Sequence, residues 1–320
     1  SGIIINCIST ASITGFIDCY FYNYFADSNC GGIAGGNNGV VSSCTSSSTV
    51  SATSSFASAV SGCIVGDNKG IVNYCTSNGY ALAFARWPLS NSYAYAGGIC
   101  GSNTSEIEIC TSNSNVDAKI NVVETTKSLS ISADAGGISG YNSGSIVNSQ
   151  SSGNLKSFSG RSPHMQTNTG GIAGSNSGTI SNCQTTAVIK CTSYYAGGIV
   201  GNNCKGYISY CAFNSPNTYV YNDANEFGVF TKKYIGGIVG INDEGTIIYS
   251  YCNGKINVAS AIEDKCYIAG LAAIYNNGDI SDCYYLGSVT CLNLFNLYYS
   301  NNGKVWNCYV SAIPLKNILT

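Results

Sequence analysis

The sequence predicts an all-β solenoid, a single elongated domain over residues 1–320 in which short parallel strands stack coil upon coil. One phrase recurs along the chain: residues 170–183 read GGIAGSNSGTISNC, and variants occupy 31–44, 97–110 and 136–149. The repeats combine short Ile/Val-rich segments with Gly and Asn, which is typical of strands joined at tight corners. The absence of a 3.6-residue period excludes helical repeats.

Each repeat is anchored by the first residue of a G-x-[IV]-x-x-C segment. A β-branched apolar residue follows two positions later, and stacked coils bring such equivalent residues to about 4.8 Å from one another. We therefore expect continuous columns of like residues inside the coil. The ten anchors are Gly2, Gly39, Gly70, Ser105, Gly144, Gly178, Gly206, Gly245, Gly278 and Gly303.

Two further columns follow from this alignment. Five residues after the anchor, the repeats predict a core Cys ladder formed by Cys7, Cys44, Cys75, Cys110, Cys183, Cys211, Cys283 and Cys308. Before the anchor, they predict a corner Asn ladder formed by Asn37, Asn68, Asn103, Asn142, Asn176, Asn203, Asn242, Asn276 and Asn301. Stacked Asn amides can hydrogen-bond along a column. Gly and Asn also tolerate the positive φ that a sharp corner demands.

The repeat G-G-I-x-G-x-N-x-G-x-I-x-x-C resembles the GLUG repeat, found in bacterial and protist surface proteins alongside filamentous-haemagglutinin-type adhesins. The likeness covers nearly the whole chain, and eight copies share both the G-G-I and the G-x-I-x-x-C parts. It implies a right-handed parallel β-helix, here of about nine to ten coils, and an extracellular or cell-surface setting. It brings no catalytic residue. The chain departs from the repeat in its extra cysteines and its long, variable segments between copies.

Cysteine pairing divides the 17 cysteines into two groups. Neighbours in the Cys ladder fall within the roughly 4.4–6.8 Å Cα separation of disulfides. Their shared inward rotamer points the sulfurs the same way, however. The sequence therefore favours stacked free thiols over disulfides between neighbouring coils. The cysteines outside the ladder are the better disulfide candidates, in an oxidising compartment: Cys19, Cys30, Cys63, Cys100, Cys191, Cys204, Cys252, Cys266 and Cys291.

No pattern in the sequence indicates an enzyme, a metal site or a cofactor. The acidic residues are scattered and do not recur in register, whereas glycoside hydrolysis needs converging carboxylates. The one histidine, His164, lies in a variable segment, and the chain has no C-x-x-C pair. The net charge of −2 does not favour nucleic acid. No apolar run reaches the 18 residues of a membrane span.

Several surface features predict contacts with other molecules. Alternating tyrosines such as Tyr93 and Tyr95 lie on one face of a strand. They suit protein contact or carbohydrate stacking, and cross-strand stabilisation explains them equally well. The variable segments 157–168 and 214–233 are candidate contact loops. Asn103, in Asn103-Thr104-Ser105, is a possible glycosylation site.

The sequence favours a structural subunit that stacks head-to-tail with copies of itself into an extracellular filament or surface fibre. The repeat begins and ends in mid-phrase without polar caps, and only 9% of residues are charged, so little repulsion opposes stacking. The alternative is a surface adhesin that binds glycan or host protein through the variable loops; a polysaccharide-processing β-helix enzyme is less favoured. The Ser1-Gly2-Ile3 start fits a processed secreted chain. The expected end-to-end contacts are Ile3, Ile5, Ile313, Leu315 and Leu319.

Overall fold

The computed structural model describes residues 2–18, 27–87, 91–121, 130–159, 166–191, 194–215, 219–220, 233–258, 266–290, 295–298 and 303–310. All regular elements in these ranges are β-strands, and the strands pair in parallel from one repeat to the next. The predicted all-β solenoid of stacked parallel strands is confirmed. No described segment forms a helix of the length and apolarity that crossing a membrane requires.

Sheets 1 and 2 contain ten strands each, and every strand of sheet 1 begins a new rung, numbered 1 to 10 in chain order. Sheet 1 consists of Ile3–Ile5, Val40–Ser42, Ile71–Asn73, Glu106–Glu108, Ser145–Val147, Thr179–Ser181, Tyr207–Ser209, Thr246–Ile248, Asp279–Ser281 and Lys304–Trp306. Sheet 2 consists of Ile8–Ser9, Thr45–Ser46, Thr76–Ser77, Thr111–Ser112, Gln150–Ser151, Gln184–Thr185, Ala212–Phe213, Tyr251–Cys252, Tyr284–Tyr285 and Tyr309–Val310.

Sheet 3 covers the next side of the coil. It contains Ser12–Ile17, Thr49–Ser54, Tyr80–Ala85, Asn115–Ile120, Asn154–Ser159 and Val188–Cys191 in rungs 1 to 6. A separate three-stranded sheet belongs to rungs 7 to 9 and contains Tyr219–Val220, Lys255–Val258 and Ser288–Thr290.

Sheet 4, with 16 strands, contributes two arms to each of rungs 1 to 7, joined by a bend at the G-G pair. The first arm is Ser28–Gly31, Ala59–Gly62, Ser92–Gly97, Ile131–Gly136, Gln166–Gly170, Tyr195–Gly197 and Lys233–Gly236. The second arm is Ala34–Asn37, Val65–Asn68, Cys100–Asn103, Ser139–Asn142, Ala173–Asn176, Val200–Cys204 and Val239–Asp243. Rung 8 has one continuous strand, Cys266–Asn276, and rung 9 has Phe295–Tyr298. The predicted nine to ten coils thus correspond to ten rungs, seven of them with both arms.

The register of sheet 1 follows the sequence alignment. Ile107 pairs with Ile146, and Ile146 pairs with Ile180, so the apolar residue two positions after each anchor stacks on its equivalents. These side chains are buried and belong to one hydrophobic core with the inward Ala, Val and Cys of the other sheets. Burial of this continuous column is the main force that holds one rung on the next.

Backbone geometry at the corners differs from the sequence expectation. Among the described glycines only Gly153 has a positive φ, so the prediction of positive φ is wrong for the repeat's glycines, whereas Lys205, Glu244 and Asn277, directly before three of the anchors, do have a positive φ. The residue immediately before the Cys-ladder position is left-handed in all ten rungs: Asn6, Ser43, Tyr74, Ile109, Asn148, Asn182, Tyr210, Tyr249, Asp282 and Asn307. Asn, Asp and Ser suit this conformation better than Ile or Tyr, which adopt it at a cost.

Close backbone approach explains the repeat's glycines instead. In rung 4, a Cβ on Gly136 would overlap the carbonyl oxygen of Ser139 within the same bend. A Cβ on Gly140 would lie 2.7 Å from the backbone nitrogen of Ala96, on the opposite arm. Rung 8 carries Ala269 at the first of these positions, and there the bend is replaced by a continuous strand.

Candidate functional site

The Asn ladder is a continuous chain of amide hydrogen bonds at the corner after the second arm. Asn37 Nδ2 donates to Asn68 Oδ1 at 2.8 Å, and Asn68 Nδ2 donates to Asn103 Oδ1 at 2.8 Å. The chain continues through Asn142, Asn176, Asn203 and Asn242 with donor–acceptor distances of 2.7–2.8 Å. Each amide is buried, so these bonds satisfy groups that would otherwise be costly to desolvate. The Asn276 side chain and Asn301 lie outside the described residues.

The same geometry overturns the predicted glycosylation of Asn103. Its side chain has no exposed surface. Its Nδ2 donates to Asn142 Oδ1 at 2.7 Å, to the Ser145 carbonyl at 3.2 Å and to the Ser105 carbonyl at 3.3 Å. Because the sequon coincides with the ladder position, the nitrogen that would carry a glycan is enclosed in the folded chain.

The Cys-ladder thiols are brought together as hydrogen-bonding groups. Cys75 Sγ donates to the Asn73 carbonyl at 3.2 Å and accepts from the Cys44 backbone nitrogen at 3.4 Å. In the two rungs with Ser, the hydroxyl makes the same bonds: Ser149 Oγ donates to the Val147 carbonyl at 2.9 Å and accepts from the Cys110 backbone nitrogen at 3.1 Å. The ladder is buried between its ends, where Cys7 is exposed and Cys308 is half-buried. All eight thiols are free.

The cysteines proposed for disulfides include five that the structure describes as free thiols: Cys30, Cys63, Cys100, Cys204 and Cys252. All but Cys204 are buried. Burial raises the pKa of the Cys63 thiol to about 11 and that of Cys252 to about 12, which keeps both protonated and unreactive. The disulfide prediction is therefore not supported for these five. Cys19, Cys291 and the side chains of Cys191 and Cys266 lie outside the described residues.

The outward columns of sheets 1 and 2 change character along the solenoid. In the sheet 2 column, the first rung carries Ile8, which is 79% exposed, and the last carries Tyr309, which is 63% exposed. Between these two residues the column is mostly polar, and only its last three members are aromatic. The column reads Ile8, Thr45, Thr76, Thr111, Gln150, Gln184, Ala212, Tyr251, Tyr284 and Tyr309.

In sheet 1, the outward column of Ile3 continues through Val40 and Ile71 and ends at Lys304, so only the column of Ile5 is apolar at both ends and mostly polar between them. Ile3 and Ile5 are exposed on rung 1, and Trp306 is exposed on rung 10. Ile5 belongs to the same outward column as Ser42 and, at the far end, Trp306. Ile3 and Ile5 are thus accessible, as end-to-end contact requires; Ile313, Leu315 and Leu319 lie outside the described residues.

The tyrosines of the last rungs form stacks that run along the solenoid. The rings of Tyr251 and Tyr284 are 5.1 Å apart and 3° from parallel, and those of Tyr210 and Tyr249 are 5.0 Å apart. Each such ring covers a face of its neighbour, which is the cross-strand stabilisation that the sequence left as one of two explanations.

Sequence reasoning missed a groove on the outside of sheet 4. The outward side chains of the two arms face each other there: the Tyr95 ring of the first arm stacks on Tyr141 of the second at 5.2 Å. The signal is the residue two positions before the G-G pair, which stacks along the first arm. This column reads Asn29, Val60, Tyr95, Asp134, Asn168, Tyr195, Tyr234 and Tyr267.

Asp134 is the one buried carboxylate in the described part of this groove. It is 2% exposed, and burial raises its pKa to about 7 although Ser175, Asn168 and Ser132 all hydrogen-bond to it. Asn168 Nδ2 donates to Asp134 Oδ1 at 2.7 Å, and Ser132 Oγ donates to Oδ2 at 3.3 Å. A carboxyl group with a pKa near 7 can take up or release a proton near neutral pH.

Other predicted sites fall partly or wholly outside the described residues. His164 and most of the two variable segments, 157–168 and 214–233, belong to that part of the chain. Among the described side chains, no three His, Cys, Asp or Glu residues cluster as metal ligands would.

Comparison with protein-family models gave no match, and comparison with curated proteins gave none either.

Proposed function

We propose that this chain is a structural subunit that stacks head-to-tail with copies of itself into a filament or surface fibre. The observation that carries the proposal is the outward column of sheet 2, which is apolar at Ile8, polar in the middle and aromatic at Tyr309. Large exposed apolar side chains cost solubility unless they are covered, and the three most exposed ones of the described residues, Ile8, Ile3 and Tyr309, lie on the first and last rungs.

The inner columns support the same arrangement. A second copy placed in register would set Ile4 on Val305 and Cys7 on Cys308, which continues the apolar column and the Cys ladder without interruption. In the described residues, Ile3–Ile5 pairs only with Val40–Ser42, and Lys304–Trp306 only with Asp279–Ser281. These opposite edges of one parallel sheet are complementary, and such a heterologous contact does not close on itself. It therefore generates a filament.

Side-chain packing at the junction adds to this support. The register would set Ile8 on Tyr309 and Ile5 on Trp306, so that the exposed aromatic surface at one end meets exposed isoleucines at the other. Burying a large apolar side chain contributes about 1.5–3 kcal/mol. The resemblance to the GLUG repeat motivates the extracellular or cell-surface setting of the proposed fibre.

A charge introduced at the junction tests the proposal. We expect the chain to form filaments visible by electron microscopy and a concentration-dependent distribution in sedimentation velocity. Ile8→Lys is expected to abolish both, because a lysine would be buried against Tyr309. Gln150→Lys is the matched control, since Gln150 is exposed in the same column on rung 5. It is expected to leave assembly unchanged.

A compensating change makes the test specific for the pair of residues. We expect Ile8→Lys combined with Tyr309→Glu to restore assembly, because the two charges would face each other across the junction. A chain that stays monomeric at high concentration, or assembly that survives Ile8→Lys, would overturn the proposal.

An adhesin remains the second candidate, favoured by the exposed aromatic side chains of rungs 7 to 10, among them Tyr210, which is 60% exposed. In that case the monomer is expected to bind a glycan or a host protein, and replacement of 157–168 or 214–233 abolishes binding while the solenoid still folds. Binding by a monomer that does not assemble would favour the adhesin over the filament.

A further inference from the structure

Basic side chains lie on the outward face of sheet 3, one on each of the consecutive rungs 3 to 6. Along these strands Ala81, Ala118 and Leu155 are buried in the core, so the residues that alternate with them face outward. The basic strip consists of Arg86, which directly follows the rung 3 strand, and of Lys119, Lys156 and Lys190. The only acidic residue in the six strands of sheet 3 is Asp117.

Asp117 does not cancel the charge of the strip. Its Oδ2 accepts a hydrogen bond from the Tyr80 hydroxyl at 2.9 Å and lies 3.2 Å from Lys119 Nζ. One carboxylate therefore stands against four cations. The outward face of sheet 3 carries an excess of positive charge, although the whole chain has a net charge of −2.

Two aromatic rings hold the Arg86 guanidinium in place. Its Cζ lies 5.1 Å from the centre of the Phe16 ring and 5.5 Å from the centre of the Phe84 ring. Both rings belong to one outward column, with Thr53 of rung 2 between them. Two rung spacings separate the rings by about 9–10 Å, so the guanidinium lies between them. Thr53 is only 7% exposed although it faces outward, which fits a guanidinium above it.

The charge of Arg86 is held but not neutralised. No carboxylate among the described residues forms an ion pair with it. Its Nε is buried and has no acceptor in the described part of the chain. Cation–π contacts fix the position of a cation and leave its charge in place. Arg86 is half-buried and therefore remains available to pair with an external anion.

The same column continues as an alternation of rings and cations. Lys119 follows Phe84 on rung 4, and Phe158 follows Lys119 on rung 5. Lys156 Nζ lies 6.0 Å from the centre of the Phe158 ring, and Lys190 continues the column of Lys156 on rung 6. The cations thus follow one another along the solenoid axis, on strands about 4.8 Å apart.

We propose that the basic strip binds an acidic polysaccharide whose chain runs along the solenoid axis. Carboxylate or sulfate groups on successive sugar residues would pair with successive cations of the strip. Arg and Lys bind such anions through charge-assisted hydrogen bonds. The strip lies within rungs 1 to 6 of one chain, so this inference does not rest on head-to-tail stacking.

A nucleic acid fits the strip less well. Proteins that bind single strands stack the bases on aromatic faces, whereas here Arg86 lies over the rings of Phe16 and Phe84, and Lys156 lies over that of Phe158. Each strand of a duplex carries a charge about every 3.4 Å, which is closer than the rung spacing of about 4.8 Å. An acidic polysaccharide needs the cations of the strip and no free ring face.

Titration calorimetry of the full chain with two polyanions tests the proposal. Heparin supplies sulfate groups, and polygalacturonate supplies carboxylates alone. We expect at least one of them to bind and the binding to weaken as salt is added, because the contacts are exposed. The polymer that binds identifies the anionic group, and neutral dextran is expected not to bind.

Paired variants locate the binding on the strip. Lys156→Gln with Lys190→Gln is expected to weaken binding on the order of tenfold, since two exposed ion pairs are lost. Lys69→Gln with Lys205→Gln is the matched control, because it removes the same charge from exposed lysines outside sheet 3. It is expected to leave the affinity unchanged. Lys156→Arg with Lys190→Arg keeps the charges and is expected to keep the binding.

Thermal unfolding of each variant checks that the fold is retained, which we expect because every changed side chain lies on the outer surface. Three results would overturn the proposal. They are no binding of either polyanion, equal losses in the strip and control variants, or tighter binding of single-stranded poly(dT) than of both polysaccharides.

Discussion

Middle rungs and end rungs share the same interior and differ in what they present to solvent. On rung 4, Ile107 and Cys110 are buried, and the adjoining outward residues are Glu106, Glu108 and Thr111. On rung 1, the equivalent outward positions carry exposed isoleucines, and on rung 10 they include Trp306 and Tyr309. The interior columns thus set the fold on every rung, while the outward columns vary in character from one rung to another.

The largest expected effect comes from adding a methyl group at the bend of a middle rung. Gly136→Ala places a Cβ against the Ser139 carbonyl oxygen of the same bend and 2.8 Å from Ala173 Cα. We expect a loss of unfolding free energy on the order of 3 kcal/mol or more, because backbone atoms cannot yield as a side chain would. Chemical denaturation followed by circular dichroism measures it.

The control for this change lies at the edge. Gly2→Ala adds the same methyl group on rung 1, where a Cβ meets no atom within 4 Å. It is expected to change stability by less than about 0.5 kcal/mol. Equal losses for the two variants would contradict the distinction between packed and open rungs.

A middle amide of the Asn ladder should contribute more than the first one. Asn142 accepts from Asn103 and donates to Asn176, both at 2.7 Å. Asn142→Ala removes both of these buried ladder bonds, and we expect it to cost about 2–4 kcal/mol. Asn37→Ala breaks only one ladder bond, to Asn68, so its cost should be roughly half as large by the same reasoning. Parallel denaturation curves that put Asn37→Ala at or above Asn142→Ala would show that the ladder is not cooperative along the rungs.

The smallest expected effect is at the Cys ladder. Cys75→Ser should cost less than about 1 kcal/mol, because Ser149 already makes the same bonds in its own rung. Cys75→Ala, which removes the acceptor for the Cys44 nitrogen, should cost about 1–3 kcal/mol. At the exposed edge, Cys7→Ala should be nearly neutral. Thermal melts of the three variants rank them, and a Cys75→Ser protein weaker than Cys75→Ala would argue against the hydrogen-bonding role.

Much of the fold could be predicted from the sequence because equivalent positions of successive repeats become neighbours when the coils stack. Once Ile107 and Ile146 align in the repeat, the parallel register follows, and so do the Asn and Cys columns. The sequence also predicted that Cys-ladder thiols stack without pairing. The predicted glycosylation of Asn103 is wrong, because the sequon coincides with a position of the Asn ladder. A three-residue motif does not show whether its side chains are buried.

The amino-acid sequence by itself determined the periodic interior, because a column of Ile, Cys or Asn forms whenever identical residues recur at the repeat length. Only the tertiary structure decided how the backbone turns at the corners and which side chains meet across them. Positive φ falls on residues such as Tyr74, and the glycines serve close approach between arms. Likewise Tyr95 stacks on Tyr141 only because the bends at the G-G pairs bring the outward faces of the two arms together. Contacts across a bend depend on three-dimensional geometry, which no spacing along the chain encodes.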